Sequence, residues 1–325
     1  MKKYLITGYS GFVSHHFLNY LESRQETCSI FGVDIHPPLF DTQLYQYVKC
    51  EYKEIDLLDK VEVDIIISEF QPDYILHLAS YSSVASSWKH PVKAFVNNTN
   101  IFLNLVDQVR LLGLKCRILS VGSSEEYGKV TAEQLPLHEK LPINPISPYA
   151  VARVSQEMLS QIYAQSYGLD IVLTRSFNHI GPGQRDVFVI SSFAKKLIDI
   201  KYGIATTKSI TVGDIDIVRD FIDVRDVVKA YFLLLEKGQK GEIYNICSGI
   251  GNSLKNVLKQ MMTILQVQVE ITFDKDLSRP PDIKIIIGSN LKIKPETGWQ
   301  PSILLEKSLE DVLNYWKQKE GLLQQ

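Results

Sequence analysis

The stretch Tyr4-Leu-Ile-Thr-Gly8-Tyr-Ser-Gly11-Phe-Val-Ser14 decides the fold, because an apolar run meets a glycine turn and then a helical pattern. A buried strand, a turn and a helix in this order are typical of a dinucleotide-binding unit. Gly8 allows a tight turn, and Gly11 lets the helix N-terminus approach a pyrophosphate. The turn residues predicted to bind the dinucleotide are Gly8, Ser10, Gly11, Phe12 and Val13.

The alternation of apolar runs and amphipathic stretches continues beyond this unit. Further apolar runs lie at 29–33, 74–78, 118–121 and 171–174. The pattern predicts an α/β fold of the Rossmann type, with a doubly wound parallel sheet. After Ser176, glycines and prolines interrupt the pattern, which indicates a smaller α/β substrate lobe. We predict a dinucleotide-binding domain at 1–177, with 221–246 returning to it, and the substrate lobe at 178–220 and 247–325.

The composition is that of a globular protein without a strong charge field. Of the 325 residues 45% are hydrophobic, and 35 lysines and arginines nearly balance 37 aspartates and glutamates. We therefore expect no nucleic-acid and no membrane partner, and anion recognition must be local. The cysteines stand too far apart for a disulfide framework or a zinc site, so we expect free thiols, no metal and a cytoplasmic location. They are Cys28, Cys50, Cys116 and Cys247.

Acidic residues follow the second and third predicted strands. Asp34 comes about 20 residues after the glycine turn, where a carboxylate bonds the adenosine ribose hydroxyls. Because it would repel a 2′-phosphate, the sequence favours NAD(H) over NADP(H). Asp56 and Leu57 could contact adenine, although an exposed loop acid is the commoner explanation of a single aspartate.

The stretch Ser147-Pro-Tyr149-Ala-Val-Ala-Arg153 begins a predicted helix that carries a candidate proton donor. Tyr149 and Arg153 are four residues apart and share one helix face. A tyrosine phenol, with an ordinary pKa of about 10, exchanges protons poorly at neutral pH unless a nearby cation favours the phenolate. Ser123 and Glu125 follow a buried strand, at the edge of the sheet where ligands bind. The alternative is a solvated tyrosine–arginine pair without a catalytic role.

Together, Gly8-x-x-Gly11, Ser123 and Tyr149-x-x-x-Arg153 resemble the motifs of the extended short-chain dehydrogenase/reductase family. That family includes sugar-nucleotide epimerases, 4,6-dehydratases and reductases. The chain is most similar to its reductases of GDP-4-keto-6-deoxy sugars in the stretches 122–128, 177–184, 212–214, 219–221, 244–249, 287–289 and 297–301. The resemblance implies reduction of the C4 ketone of such a sugar, giving GDP-D-rhamnose or a close relative.

The resemblance also implies site residues that spacing alone does not identify. For the cofactor these are Leu78, Ala79 and Phe177, together with Tyr149 and Arg153. For the nucleotide sugar they are Ser83, Asn178, Val189, Lys195, Arg219 and Arg279. The alternatives are core packing for Val189, a solvated lysine at Lys195, and a structural pair of Arg219 with Asp220 or Asp223. A homodimer through the predicted helices at 92–112 and 148–167 is implied as well.

Two departures from the family pattern keep other functions open. Arg153 stands where the family has lysine, and arginine is not a simple substitute. Ser14 stands where the dinucleotide pattern has its third glycine. A reductase would use Tyr149 to donate a proton and Ser123 to hold the forming alkoxide. The alternatives are a GDP-mannose 4,6-dehydratase, with Glu125 as its base, and a nucleotide-binding protein without catalysis.

Overall fold

The computed structural model describes residues 1–274 and 283–322. The strands are β1 (Lys2–Thr7), β2 (Cys28–Asp34), β3 (Val48–Glu54), β4 (Tyr74–His77), β5 (Arg117–Ser123), β6 (Asp170–Ser176), β7 (Asn178–Ile180), β8 (Ser209–Val212), β9 (Val218–Asp223), β10 (Ile243–Ile246), β11 (Gly251–Ser253), β12 (Glu270–Phe273) and β13 (Ile285–Ile286). The helices are α1 (Phe12–Ser23), α2 (Lys60–Phe70), α3 (Val84–Lys89), α4 (Pro91–Leu111), α5 (Pro148–Gln165), α6 (Val189–Lys201), α7 (Val224–Lys237), α8 (Leu254–Leu265), α9 (Ile293–Thr297) and α10 (Leu305–Lys319).

Seven parallel strands form the central sheet of what we call the large lobe. Their order is β10-β6-β5-β4-β1-β2-β3, so the chain winds outwards from β1 in both directions. The carboxyl ends of β1 and β4 therefore flank the point where the winding reverses, and ligands of such sheets bind there. The predicted doubly wound parallel sheet is confirmed.

The inner strands form where the sequence has continuous apolar runs, because helices cover both faces of the sheet. β3, the strand expected before Asp56, is different because it has no apolar run. It is an edge strand of sequence Val-Lys-Cys-Glu-Tyr-Lys-Glu, and only Val48 is buried. Its lysines and glutamates face solvent and discourage pairing with another chain.

The core of the large lobe takes residues from both ends of the chain. On one face of the sheet, α1 and α7 pack together in a cluster that includes Tyr4, Phe17 and Tyr231. α7 packs in this cluster and β10 pairs with β6, so the chain comes back to this lobe after β9. Ile293 and Trp299 also pack in this cluster, although the sequence division assigned 247–325 to the substrate lobe. The two-domain division therefore stays a proposal.

A small lobe is built around β9. β9 pairs with β7, β11 and β13, and β8 pairs with β12 in a separate ribbon. α6, α8 and α10 enclose its core, which includes Phe193, Met261 and Trp316. No helix among the described residues has the length and apolarity to cross a lipid bilayer.

Candidate active site

The turn after β1 packs tightly against the end of β4. Gly8 has φ +72°, and a Cβ atom there would lie 2.8 Å from the backbone nitrogen of Ala79 and 2.9 Å from the carbonyl carbon of Leu78. Only glycine fits this position. Gly11 is the N-cap of α1, and no side chain of the described residues caps that helix. The first N–H groups of α1 can therefore bind the diphosphate of a dinucleotide.

Ser14 replaces the third glycine of the pattern without interrupting α1. The helix begins at Phe12, directly after the turn, and Ser14 is buried within it. Phe12 stacks on His179, with ring centroids 5.7 Å apart. His16 Nε2 lies 2.8 Å from the carbonyl oxygen of Pro182. These contacts join the helix of the dinucleotide turn to the glycine-rich run after β6.

Asp34 lies beside the glycine turn, at the end of β2. Its Oδ2 accepts a hydrogen bond from the backbone N–H of Ser10 at 3.0 Å. Val13, on the first turn of α1, is half-buried. Asp56 is exposed after β3, whereas the side chain of Leu57 is buried in the core. Any contact of Leu57 with adenine would therefore be made by its backbone.

The tyrosine and arginine of the catalytic motif are both buried on α5. Tyr149 is 7% exposed and Arg153 is 5% exposed, so the alternative of a solvated helix pair is wrong. Arg153 Nε donates a hydrogen bond to the Tyr149 hydroxyl oxygen at 3.2 Å. The guanidinium carbon lies 5.4 Å from the centre of the phenol ring. The cation that the sequence predicted beside the phenol is in contact with it.

Ser123 ends β5, and the 3-10 turn at Ser124–Tyr127 follows directly. The Ser123 hydroxyl oxygen accepts a hydrogen bond from the backbone N–H of Glu125 at 3.2 Å. Glu125 is half-buried in the same turn. Because α5 packs on this turn, the serine and the tyrosine come to the same edge of the sheet.

A buried cluster of two carboxyl groups and one guanidinium lies behind Ser123, and sequence reasoning missed it. Glu126 Oε1 accepts a hydrogen bond from the backbone N–H of Ser123 at 2.6 Å. Arg175 on β6 donates two hydrogen bonds to Glu157 on α5, both at 2.8 Å, and its Nε lies 3.7 Å from Glu126 Oε2. Burial and the neighbouring Glu157 raise the pKa of Glu126 well above its usual value.

The residues predicted to bind the sugar nucleotide differ in their surroundings. Asn178 begins β7 and is half-buried. Val189 is the first residue of α6 and is 38% exposed, so its alternative role in the core is wrong. Lys195 Nζ donates to Asp199 at 2.8 Å and lies 3.8 Å from Glu320, which favours a structural role.

Four further predictions concern Ser83, Phe177, Arg219 and Arg279. The Ser83 hydroxyl caps α3 by accepting a hydrogen bond from the backbone N–H of Ser86 at 3.1 Å. The ring of Phe177 is buried with Tyr127 in a small core cluster, so only its backbone is available to a cofactor. Arg219 lies on β9 and is half-buried. Arg279 lies outside the described residues.

Known proteins resemble this chain over almost its whole length. The sequence model of the GDP-mannose 4,6 dehydratase family matches residues 5–312. A GDP-6-deoxy-D-mannose reductase of Pseudomonas aeruginosa is 32% identical, with 98% of each chain covered. A GDP-mannose 4,6-dehydratase of Vibrio cholerae is 24% identical, with 95% of this chain and 92% of that protein covered.

Solved structures agree with the chain in both lobes. RMD from Pseudomonas aeruginosa complexed with NADPH has a TM-score of 0.85 at 32% identity, covering 98% of this chain and 100% of the other. UDP-glucose 4-epimerase from Thermotoga maritima with UDP-glucose has a TM-score of 0.86 at 28% identity, covering 98% and 99%.

Proposed function

The chain belongs to the GDP-mannose 4,6-dehydratase family, and we propose that it reduces the C4 ketone of a GDP-4-keto-6-deoxy sugar. The product is GDP-D-rhamnose or a close relative. The observation that carries the proposal is the buried contact between Tyr149 and Arg153 at the ligand-binding edge of the sheet. The 32% identity with a GDP-6-deoxy-D-mannose reductase supports the reductase branch of the family.

The large lobe provides a fitting site for a nicotinamide dinucleotide, which supplies the hydride when bound. Gly8 leaves room for the turn against β4, and the N-terminus of α1 offers backbone N–H groups to the diphosphate. Asp34 would accept hydrogen bonds from the adenosine ribose. Tyr149 and Arg153 would lie at the nicotinamide end. We propose the small lobe, with Asn178 as its first candidate, for the sugar nucleotide.

The chain's own residues manage the proton and the charge that reduction creates. Tyr149 donates its phenolic proton to the oxygen that becomes the C4 hydroxyl, while the Ser123 hydroxyl holds that oxygen by a hydrogen bond. Arg153 stabilises the phenolate that remains, because its Nε already donates to the phenol oxygen. Burial keeps water from weakening this contact.

We propose NADH as the preferred reductant. The carboxylate of Asp34 is held beside the glycine turn by Ser10. Residues 34–40 contain no lysine or arginine that could bind a 2′-phosphate. We expect kcat/KM with NADH to exceed that with NADPH, and the reverse order would contradict this assignment.

We also propose a homodimer through one face of α4 and α5. The exposed large apolar side chains of these helices include Val92, Phe95, Val151, Met158 and Ile162. Exposed apolar side chains on two adjoining helices are typical of a surface that a partner covers. A second copy of the chain would cover it with the same two helices.

The reductase proposal is tested with the purified protein, NADH and GDP-4-keto-6-deoxy-mannose, with product identity determined by NMR. Tyr149→Phe should lower kcat by about 100-fold or more, the usual contribution of a positioned proton donor. Tyr167→Phe, at an exposed tyrosine just beyond α5, is the matched control. Formation of a 4-keto product from GDP-mannose without added reductant would instead support the dehydratase, with Glu125 as its base.

A further inference from the structure

One face of α5 carries a polar stripe against β5. Tyr149, Arg153, Gln156 and Ser160 are spaced by four, three and four residues, so they lie on one side of the helix. All four are buried. The pairing of β5 with β4 ends at Ser120, and the stripe faces β5 at and just beyond this point.

The guanidinium of Arg153 is fixed from three directions. Nε donates to the Tyr149 hydroxyl oxygen at 3.2 Å. Nη1 donates to the carbonyl oxygen of Val121 at 3.2 Å and to Oε1 of Gln156 at 2.6 Å. Nη2 has no hydrogen bond to a described residue. An arginine needs such partners, because its long side chain otherwise has several rotamers.

The amide of Gln156 can take only one orientation in this network. Arg153 Nη1 can only donate, so the oxygen of the amide must face it. The amide nitrogen donates to the Ser120 hydroxyl at 2.9 Å and to the Val121 carbonyl oxygen at 3.3 Å. Ser160 holds the Ser120 hydroxyl from the other side at 2.9 Å. The amide oxygen and the amide nitrogen of Gln156 therefore both have hydrogen-bond partners.

We propose that Gln156 is a positioning residue, which sets the guanidinium of Arg153 against the Tyr149 oxygen so that arginine can take the place of lysine in the motif. The inference rests on the proposed function and deepens it. The amide holds the guanidinium without cancelling its charge, whereas a carboxylate at this position would cancel it. Nη2 then stays available to the ribose of the cofactor.

Other ionisable groups that face Arg153 do not compete with it near neutral pH. His77 on β4 and Tyr231 on α7 both face the guanidinium. Burial lowers the pKa of His77 to about 3 and raises the pKa of Tyr231. Both groups are therefore uncharged in the pH range of an activity assay, so neither adds a charge beside the guanidinium.

The test is a double-mutant cycle of Gln156→Leu and Arg153→Lys, with kcat, KM for NADH and the NADH dissociation constant measured for each protein. In the Arg153 protein, Gln156→Leu should lower kcat/KM about 10- to 100-fold, because it leaves a buried charged donor unpaired. In the Arg153→Lys protein, the same change should cost less than about 3-fold. Ser160→Ala, in the same network but not touching the guanidinium, is the matched control.

Gln156→Glu separates positioning from charge. It keeps the acceptor for Arg153, so kcat at its optimum should recover most of what Gln156→Leu loses. The added negative charge should move the basic limb of the pH–rate profile to higher pH, because a neighbouring anion disfavours the ionisation of an acid.

Equal losses from Gln156→Leu in both backgrounds, or an unmoved pH profile in Gln156→Glu, would overturn the proposal. Failure of the proposed function looks different, since the unaltered protein would then turn over no GDP-4-keto-6-deoxy sugar. In that case the NADH dissociation constants of the four proteins still test the inference. Non-additive effects of the changes at positions 153 and 156 on NADH binding support it, and additive effects overturn it.

Discussion

Replacement of Glu126 by glutamine should stabilise the protein relative to the unaltered chain, and this difference should grow as the pH rises. Glu126 is fully buried, and it shares one guanidinium, Arg175, with Glu157. Burial tends to raise the pKa of Glu157, but its hydrogen bonds from Arg175 and Glu126 outweigh this and lower it. The pKa of Glu126 is raised by burial and by Glu157. Folding therefore favours the protonated form of Glu126 and the ionised form of Glu157.

The size of the effect follows from this protonation of Glu126. In the unfolded chain a glutamate has a pKa of about 4.3, so at a pH between this value and its raised folded pKa Glu126 takes up a proton on folding. When folding raises the pKa of a group, its contribution to the free energy of unfolding falls as the pH rises above the unfolded pKa, by about 1.4 kcal/mol per pH unit. Glutamine keeps the hydrogen bond from Ser123 and needs no proton. As the pH rises above 5, Glu126→Gln should therefore gain stability relative to the unaltered protein, by up to about 1.4 kcal/mol per pH unit until the raised folded pKa of Glu126 is reached.

The assay is urea unfolding followed by fluorescence near pH 5, 6 and 7, with the free energy of unfolding taken for each protein. Glu51→Gln, at an exposed glutamate of the edge strand β3, is the matched control and should show a difference that does not change with pH. Infrared difference spectra should lose the band of a protonated carboxyl group in Glu126→Gln. Parallel curves for Glu126→Gln and the unaltered protein would mean that Glu126 is ionised in the fold and that the reasoning is wrong.

Three further changes test the turn, the fold and the dimer. Gly8→Ala should weaken dinucleotide binding at least about 10-fold in a fluorescence titration, because its Cβ would press on the backbone of Ala79; unaltered affinity would contradict the site. Gly128→Ala should cost about 3 kcal/mol or more in urea unfolding, since its Cβ would lie 1.6 Å from the carbonyl oxygen of Asn144; a loss below 1 kcal/mol would be inconsistent with this packing. Phe95→Glu should shift the protein to monomers in analytical ultracentrifugation, and an unchanged dimer would exclude this face.

The fold could be predicted where burial leaves a mark on the local sequence. β1, β4, β5 and β6 are buried on both faces, so each is a continuous apolar run. β3 carries no such run because one side of it has no neighbouring strand. The small lobe is harder still. Its strands are short and pair out of chain order, as β7, β11 and β13 do with β9, and no local pattern encodes that pairing.

The candidate site divides in the same way. Tyr149 and Arg153 lie four residues apart on one helix, so their contact could be predicted from spacing. Glu126, Glu157 and Arg175 lie on three different elements, and only the packing of α5 on β5 and β6 brings them together. Charge type alone predicts solvent exposure for such residues, which is the opposite of what the structure has.

The return of distant segments to the large lobe also constrains how the chain matures on the ribosome. β10 completes the sheet at β6, and Trp299 fills the core against α7, more than 60 residues after that helix has been synthesised. Until β10 has been synthesised the edge of β6 is open, and a nascent chain stalled before residue 243 would expose this edge to other chains. Proteolysis of stalled or truncated chains should accordingly be fast. A single cut between the lobes would not release a complete large lobe, because β10 and Trp299 follow β9 in the chain.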